Sequence, residues 1–165
     1  MNYGLSKKHI RALILLRMLV GWHFLYEGVI KLYNPAWTSK TYLLSASGPF
    51  KGFFQWLAED RIISIIDFLN VFGLMAVGLA LVLGLWERLG AVGGIVLLLF
   101  YYLAQPPFPG IDQTGAEGNY FLVNKNLIEA AALFVLYYLP TGYYVGLARL
   151  FHKNEEHQKP LNQSP

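Results

Sequence analysis

The chain contains no cysteine. Disulfides, thiolate metal sites, iron–sulfur clusters and any thiol–disulfide relay are thereby excluded, so a redox role has to use borrowed groups. Histidine is nearly as scarce: of four, only His23 falls inside a long apolar block. A haem held by two histidines between helices, or a metal site of several imidazoles, therefore cannot be assembled. Ser64 and His23 are the only serine and histidine within the apolar spans, and no G-x-S-x-G elbow or phosphate-cradling glycine loop is present. Catalysis by a nucleophile of the chain's own is not expected.

Charge is also sparse. Ionisable Asp, Glu, Lys and Arg make up 14% of the 165 residues against 55% hydrophobic ones, a balance that suits lipid rather than water as the main solvent. The net charge of +3 comes from basic residues in short segments between apolar blocks. It reads as a topology signal, and no basic face with stacking aromatics points to nucleic acid.

Four apolar spans are predicted: Ile10 to Leu32, Ile62 to Leu85, Leu89 to Ala104 and Val123 to Leu139. The first follows Lys7, Lys8 and Arg11, but Arg17, His23 and Glu27 interrupt it and no small-residue cleavage site follows, so it is expected to be a retained helix. Asn34-Pro35 ends it. Pro106, Pro107 and Pro109 stop the third span, and Pro140 kinks or ends the fourth, leaving Tyr143 to Phe151 as an interfacial helix. Residues 1–152 are read as one all-α domain, an integral membrane four-helix bundle, and Lys153 to Pro165 as a polar, disordered tail.

Seven Lys and Arg flank the spans on the side of the termini and four on the other side, which places both termini in the cytoplasm. In the first outer loop, Phe50, Phe53, Phe54 and Leu57 recur at helical spacing, so Pro49 to Ala58 either lies flat in the membrane interface or packs on the bundle. Trp37, Trp56, Tyr101 and Tyr102 fit an outer aromatic belt, and Trp86, Tyr143 and Tyr144 an inner one. Ala76 with Ala80, and Gly90 with Gly94, form small-xxx-small pairs, which serve packing within the chain or the seam of a homodimer.

The ionisable residues inside the spans are the informative ones. His23, Glu27 and Lys31 stack at four-residue intervals on one face of the first helix. Under the orientation above they share the outer half of the membrane with Asp67, Asn70, Lys125, Asn126 and Glu129. Each charge at a helix centre costs about 2.5–3.5 kcal/mol on insertion scales, so the group needs partners or water. Two readings follow: a cavity that binds a ligand, or a network that only holds the helices together. The candidate site comprises Arg17, His23, Glu27, Lys31, Asp67, Asn70, Asn126 and Glu129. Lys125 is expected to snorkel to the interface, and for Arg17, about two turns into its helix, snorkelling inward is the alternative.

Arg17 with Gly21, Phe24, Glu27, Gly28 and Lys31, the Pro35-Ala36-Trp37 exit, and the run from Gly118-Asn119-Tyr120 to Lys125-Asn126-Leu127-Ile128-Glu129 together resemble the DoxX family of small bacterial four-helix membrane proteins. The resemblance implies a multi-pass protein of the bacterial inner membrane. It further implies a membrane subunit of thiosulfate:quinone oxidoreductase type, or a partner in an oxidoreductase complex with superoxide dismutase and a sulfurtransferase. A distantly similar eukaryotic group acts as an assembly chaperone. The expectation is a quinone-interacting subunit or accessory component, at most an oxidoreductase subunit without cofactor ligands of its own, in which Glu27, Asp67 or Glu129 exchanges protons with a lipid quinone. The alternatives are a membrane scaffold or assembly chaperone bound to a partner protein, and a proton or small-solute pathway.

Overall fold

The computed structural model describes residues 6–108 and 119–149, and it is mostly helical. Its helices are α1 (Lys7–Leu32), α2 (Lys40–Leu44), α3 (Lys51–Leu57), α4 (Ile63–Leu83), α5 (Glu87–Ala104) and α6 (Lys125–Tyr138). A short antiparallel ribbon of β1 (Asn119–Tyr120) and β2 (Val123–Asn124) leads into α6. The expected tail from Lys153, the end of the segment predicted to reach Phe151, and Pro109 lie outside the described residues.

Local chemistry sets the boundaries. Gly84 adopts a left-handed conformation (φ 62°), which lets the Leu85 N–H donate back to the Ala80 carbonyl at 3.1 Å and closes α4. Two residues on, Trp86 also has positive φ (51°), so α4 and α5 are joined by a tight turn. Gln105 leaves the helical region (φ −133°, ψ 73°), where the following proline disfavours it, and α5 stops there. At the start of α6, Asn124 Oδ1 accepts the Leu127 N–H at 3.0 Å, an N-cap. Pro140 ends α6, and residues 141–149 fold back rather than run away along a surface: Leu147 N donates to the Leu83 carbonyl at 2.8 Å.

Helices α1, α4, α5 and α6 pack around one core of Phe24, Leu81, Ala91, Leu133 and Leu136, all 2% exposed or less. α1 and α4 run antiparallel and nearly touch at the backbone. A Cβ added at Gly78 would stand 2.4 Å from the Leu25 nitrogen, so only glycine permits this approach. Gly90 meets Ala80, and Gly94 meets Leu133 and Phe24, so these small residues serve packing within the chain. At the far end, α2 and α3 cover α5 through Leu43, Ala46, Phe54 and Ala104. In α3, Phe54 points inward while Phe53 and Trp56, and Phe50 just before the helix, remain about half exposed.

The outward faces are as apolar as the core. Leu15, Leu19 and Trp22 on α1, and Ile65, Phe68 and Leu69 on α4, are each more than half exposed, a surface that water would not tolerate and lipid would. α1, α4 and α5 are long and apolar enough to cross a membrane. With 14 residues, α6 reaches about 21 Å, short of a core of roughly 30 Å.

The two ends of the bundle differ. At the turn end, where α4 meets α5, the described basic residues are Lys7, Lys8, Arg11, Arg17, Arg88 and Arg149, against one acid, Glu87. At the loop end, Lys31, Lys40, Lys51, Arg61 and Lys125 are balanced by Glu27, Glu59, Asp60, Asp67 and Glu129.

Candidate functional site

A cavity of about 280 Å³ opens at the loop end between α1, α4, α5, α6 and the segment after α1. Its floor is apolar, made by Phe24, Leu74 and Leu98, which also belong to the core. Polar groups surround that floor. Asn70 Nδ2 donates to Tyr101 Oη at 2.6 Å, while Asn70 Oδ1 is buried with no partner. Turning the amide over would exchange an open acceptor for an open donor, so either way one arm of Asn70 is available. Lys31 Nζ donates to Glu27 Oε2 at 3.0 Å and lies 5.5 Å from the Trp37 ring centre, within cation–π range.

On the α6 side, His23 Nδ1 donates to Glu129 Oε1 at 2.7 Å, with the His23 side chain half exposed and that of Glu129 14% exposed. The pair ties α1 to α6 and leaves the imidazole reachable from outside. Above the floor, Trp37, Thr38, Ser39 and Tyr42 line the cavity. Asp67 Oδ1 accepts from the Ser39 N–H at 2.8 Å and from Ser39 Oγ, which pins this segment to α4. Tyr42 Oη donates to the Tyr101 carbonyl at 3.2 Å. Burial pushes the Tyr42 phenol up from its ordinary pKa, and the Tyr101 phenol adds to the effect, so Tyr42 stays a neutral donor.

A second polar cluster sits at the turn end. Arg17 is 1% exposed. Its Nη1 lies 3.6 Å from Glu87 Oε2 and donates to Thr141 Oγ1 at 3.1 Å, and its Nη2 donates to the Val145 carbonyl at 2.6 Å. Glu87 also accepts the backbone N–H groups of Thr141 at 2.9 Å and Gly142 at 2.7 Å. The strand of chain after α6 is thus strapped over a buried ion pair, which satisfies charges that would otherwise be very costly.

Of the eight residues singled out from the sequence, His23, Glu27, Lys31, Asn70 and Asn126 line the loop-end cavity. Glu129 adjoins it through His23. Asp67 is engaged by Ser39 rather than facing the cavity, and Arg17 belongs to the other end, where it is buried instead of snorkelling. Sequence reasoning missed Glu87, which lies between the second and third predicted spans. It also set Tyr101 and Trp37 in an aromatic belt, whereas both line the cavity. The signal available for Tyr101 was its place at the end of the third span, level with Asn70 near the start of the antiparallel second span. Among the described residues, no three His, Asp or Glu side chains lie close enough to hold a metal ion.

Comparison with known proteins gives one match. No curated protein and no solved structure matches the chain. The DoxX family profile matches residues 12–105, which span α1 through α5, and so more than half of its length. With its apolar helices, this makes the protein a membrane protein, and the chain belongs to the DoxX family.

Proposed function

We propose that the loop-end cavity holds the ring of a lipid quinone, and that the protein is an accessory subunit of an oxidoreductase system in the bacterial inner membrane. In this reading α1, α4 and α5 span the bilayer, the shorter α6 crosses it together with the segments that flank it, both termini are cytoplasmic and the cavity lies in the outer half. The basic turn end supports that orientation. The half-exposed Phe53 and Trp56 of α3, with Phe50 before it, then rest in the outer interface.

The observation that carries the reading is the open arm of Asn70 beside an apolar floor. Such a pocket suits a flat, uncharged ring with hydrogen-bonding oxygens. A volume of about 280 Å³ is at the lower limit of small-molecule pockets, enough for a ring while its tail stays in lipid. When bound, a quinone would supply carriage of two electrons and two protons between a partner enzyme and the membrane pool. Asn70 and Tyr101 would orient the ring oxygens, and Phe24, Leu74 and Leu98 would exclude water beneath it. The half-exposed His23, bonded to Glu129, and the Glu27 carboxylate are placed to pass protons between ring and solvent.

The test is quinone content and binding in the purified full chain. Co-purified quinone and saturable binding are expected, weakened about tenfold by Asn70→Leu for the loss of a single hydrogen bond and reduced also by Glu27→Gln. A preparation that neither carries nor binds quinone would overturn the proposal.

A further inference from the structure

We infer that the loop-end cavity recognises a hydroxyl group, and therefore holds the reduced, quinol form of its ligand more tightly than the quinone. The inference rests on the quinone reading of this cavity and adds which redox form the walls suit. A quinone ring presents carbonyl oxygens, which only accept hydrogen bonds, whereas a quinol presents hydroxyls, which accept and donate. With Asn70 Nδ2 donating to Tyr101 Oη at 2.6 Å, two groups have no partner among the described residues: Asn70 Oδ1, a buried acceptor, and the phenolic proton of Tyr101. With the amide turned over, its oxygen takes that proton, and the open groups become the Asn70 amide hydrogens and a lone pair on Tyr101 Oη. In both orientations an open donor stands beside an open acceptor. A hydroxyl answers both, while a carbonyl answers the donor and strands the acceptor.

The rest of the wall points the same way. The protons of Ser39 Oγ and Tyr42 Oη are already engaged by Asp67 and by the Tyr101 carbonyl, so neither is left for a ligand carbonyl. Lys31 is turned to Glu27 and the Trp37 ring, and Lys125 is exposed to solvent. Glu27 meets Lys31 through Oε2, and its Oε1 remains as an acceptor for a second hydroxyl on the ring. Asn126, which also lines the cavity, carries both kinds of group and does not discriminate.

The experiment is an anaerobic calorimetric titration of the full chain in micelles with three probes: decylubiquinone, the same molecule reduced to its quinol, and the dimethyl ether of that quinol. The quinol should bind about tenfold more tightly than the quinone, the ratio expected when a carbonyl leaves one buried acceptor unanswered. The ether keeps the oxygens but not their protons and should bind no better than the quinone. In Asn70→Leu the ratio of quinol to quinone affinity should fall to near one. Equal or weaker binding of the quinol, an ether that binds as well as the quinol, or a preference that survives Asn70→Leu would overturn the inference and leave the quinone reading standing. A chain that binds none of the three would overturn both. Should the variant not fold, the unaltered protein decides through the redox midpoint of its bound quinone. A tenfold preference for the quinol places that midpoint about 30 mV above the midpoint of free quinone in the same micelles, and an unshifted or lowered midpoint refutes the inference.

Discussion

Replacing one member of the Arg17–Glu87 pair should destabilise the protein by several kcal/mol, and replacing both should cost much less than the sum. In Arg17→Met, Glu87 remains buried and keeps the Thr141 and Gly142 N–H groups but loses the guanidinium 3.6 Å away, and the Val145 carbonyl loses its donor at 2.6 Å. Stranding one partner of a buried pair costs about 3–5 kcal/mol, and the two retained backbone donors favour the lower figure. In Glu87→Gln, the amide oxygen still accepts from the strap, but Arg17 is left as an uncompensated charge at 1% exposure, for a similar cost. In the double variant neither charge is present, so a coupling of about 2 kcal/mol is expected between the sites. The assay is equilibrium unfolding of the full chain in mixed micelles, followed by circular dichroism and tryptophan emission. Single losses below about 1 kcal/mol, or strictly additive losses, would show that the pair is hydrated and that the strap does not bury it.

Two further outcomes follow from the packing. Gly78→Ala should destabilise the bundle by about 1–3 kcal/mol, because its Cβ would meet the Leu25 backbone at 2.4 Å, while Gly52→Ala, facing open space, should not; the same unfolding assay compares them. The Tyr42 phenol, held up chiefly by burial, should remain protonated above pH 10, where a free tyrosine ionises. Its folded-state pKa is raised, so its contribution to stability is complete below about pH 10 and declines as pH rises above that. The difference in ultraviolet absorbance between the parent and Tyr42→Phe, titrated upward in pH, reads this directly.

The helical plan was legible because it rests on local signals. Apolar blocks and prolines placed α1, α4 and α5 to within a few residues, and Pro140 marked the end of α6. The depth of the polar groups was legible too, since antiparallel spans bring Glu27, Asn70 and Asn126 to one level. What the sequence did not show is which groups bond each other. Asp67 and Asn70 are three residues apart on one helix, yet one holds the Ser39 segment and the other faces Tyr101, a division set by helix rotation rather than by spacing. Glu87 was missed because its partner, Arg17, is seventy residues away, and because the strap that buries both comes from a third part of the chain.

The two polar clusters also differ in how fully the protein satisfies them, and this bears on the choice between clamp and site. At the turn end, the Glu87 carboxylate is occupied by Thr141, Gly142 and Arg17, and among the described residues Arg17 Nε is the one buried side-chain atom of this cluster without a partner. A network closed in this way stabilises the fold and has little capacity left for a ligand. At the loop end Asn70 Oδ1 is unanswered and His23 is half exposed, which is the condition of groups that gain from a ligand. Between the clusters lie Phe24, Leu81, Leu133 and Leu136, each 2% exposed or less. Arg17 and His23 are only about 9 Å apart along α1, yet a charge crossing that apolar layer would meet no polar partner among these residues, at a cost of several kcal/mol. This arrangement favours a closed-bottomed binding pocket over a pathway, and it lets the clamp and the ligand reading both hold at opposite ends of the same bundle.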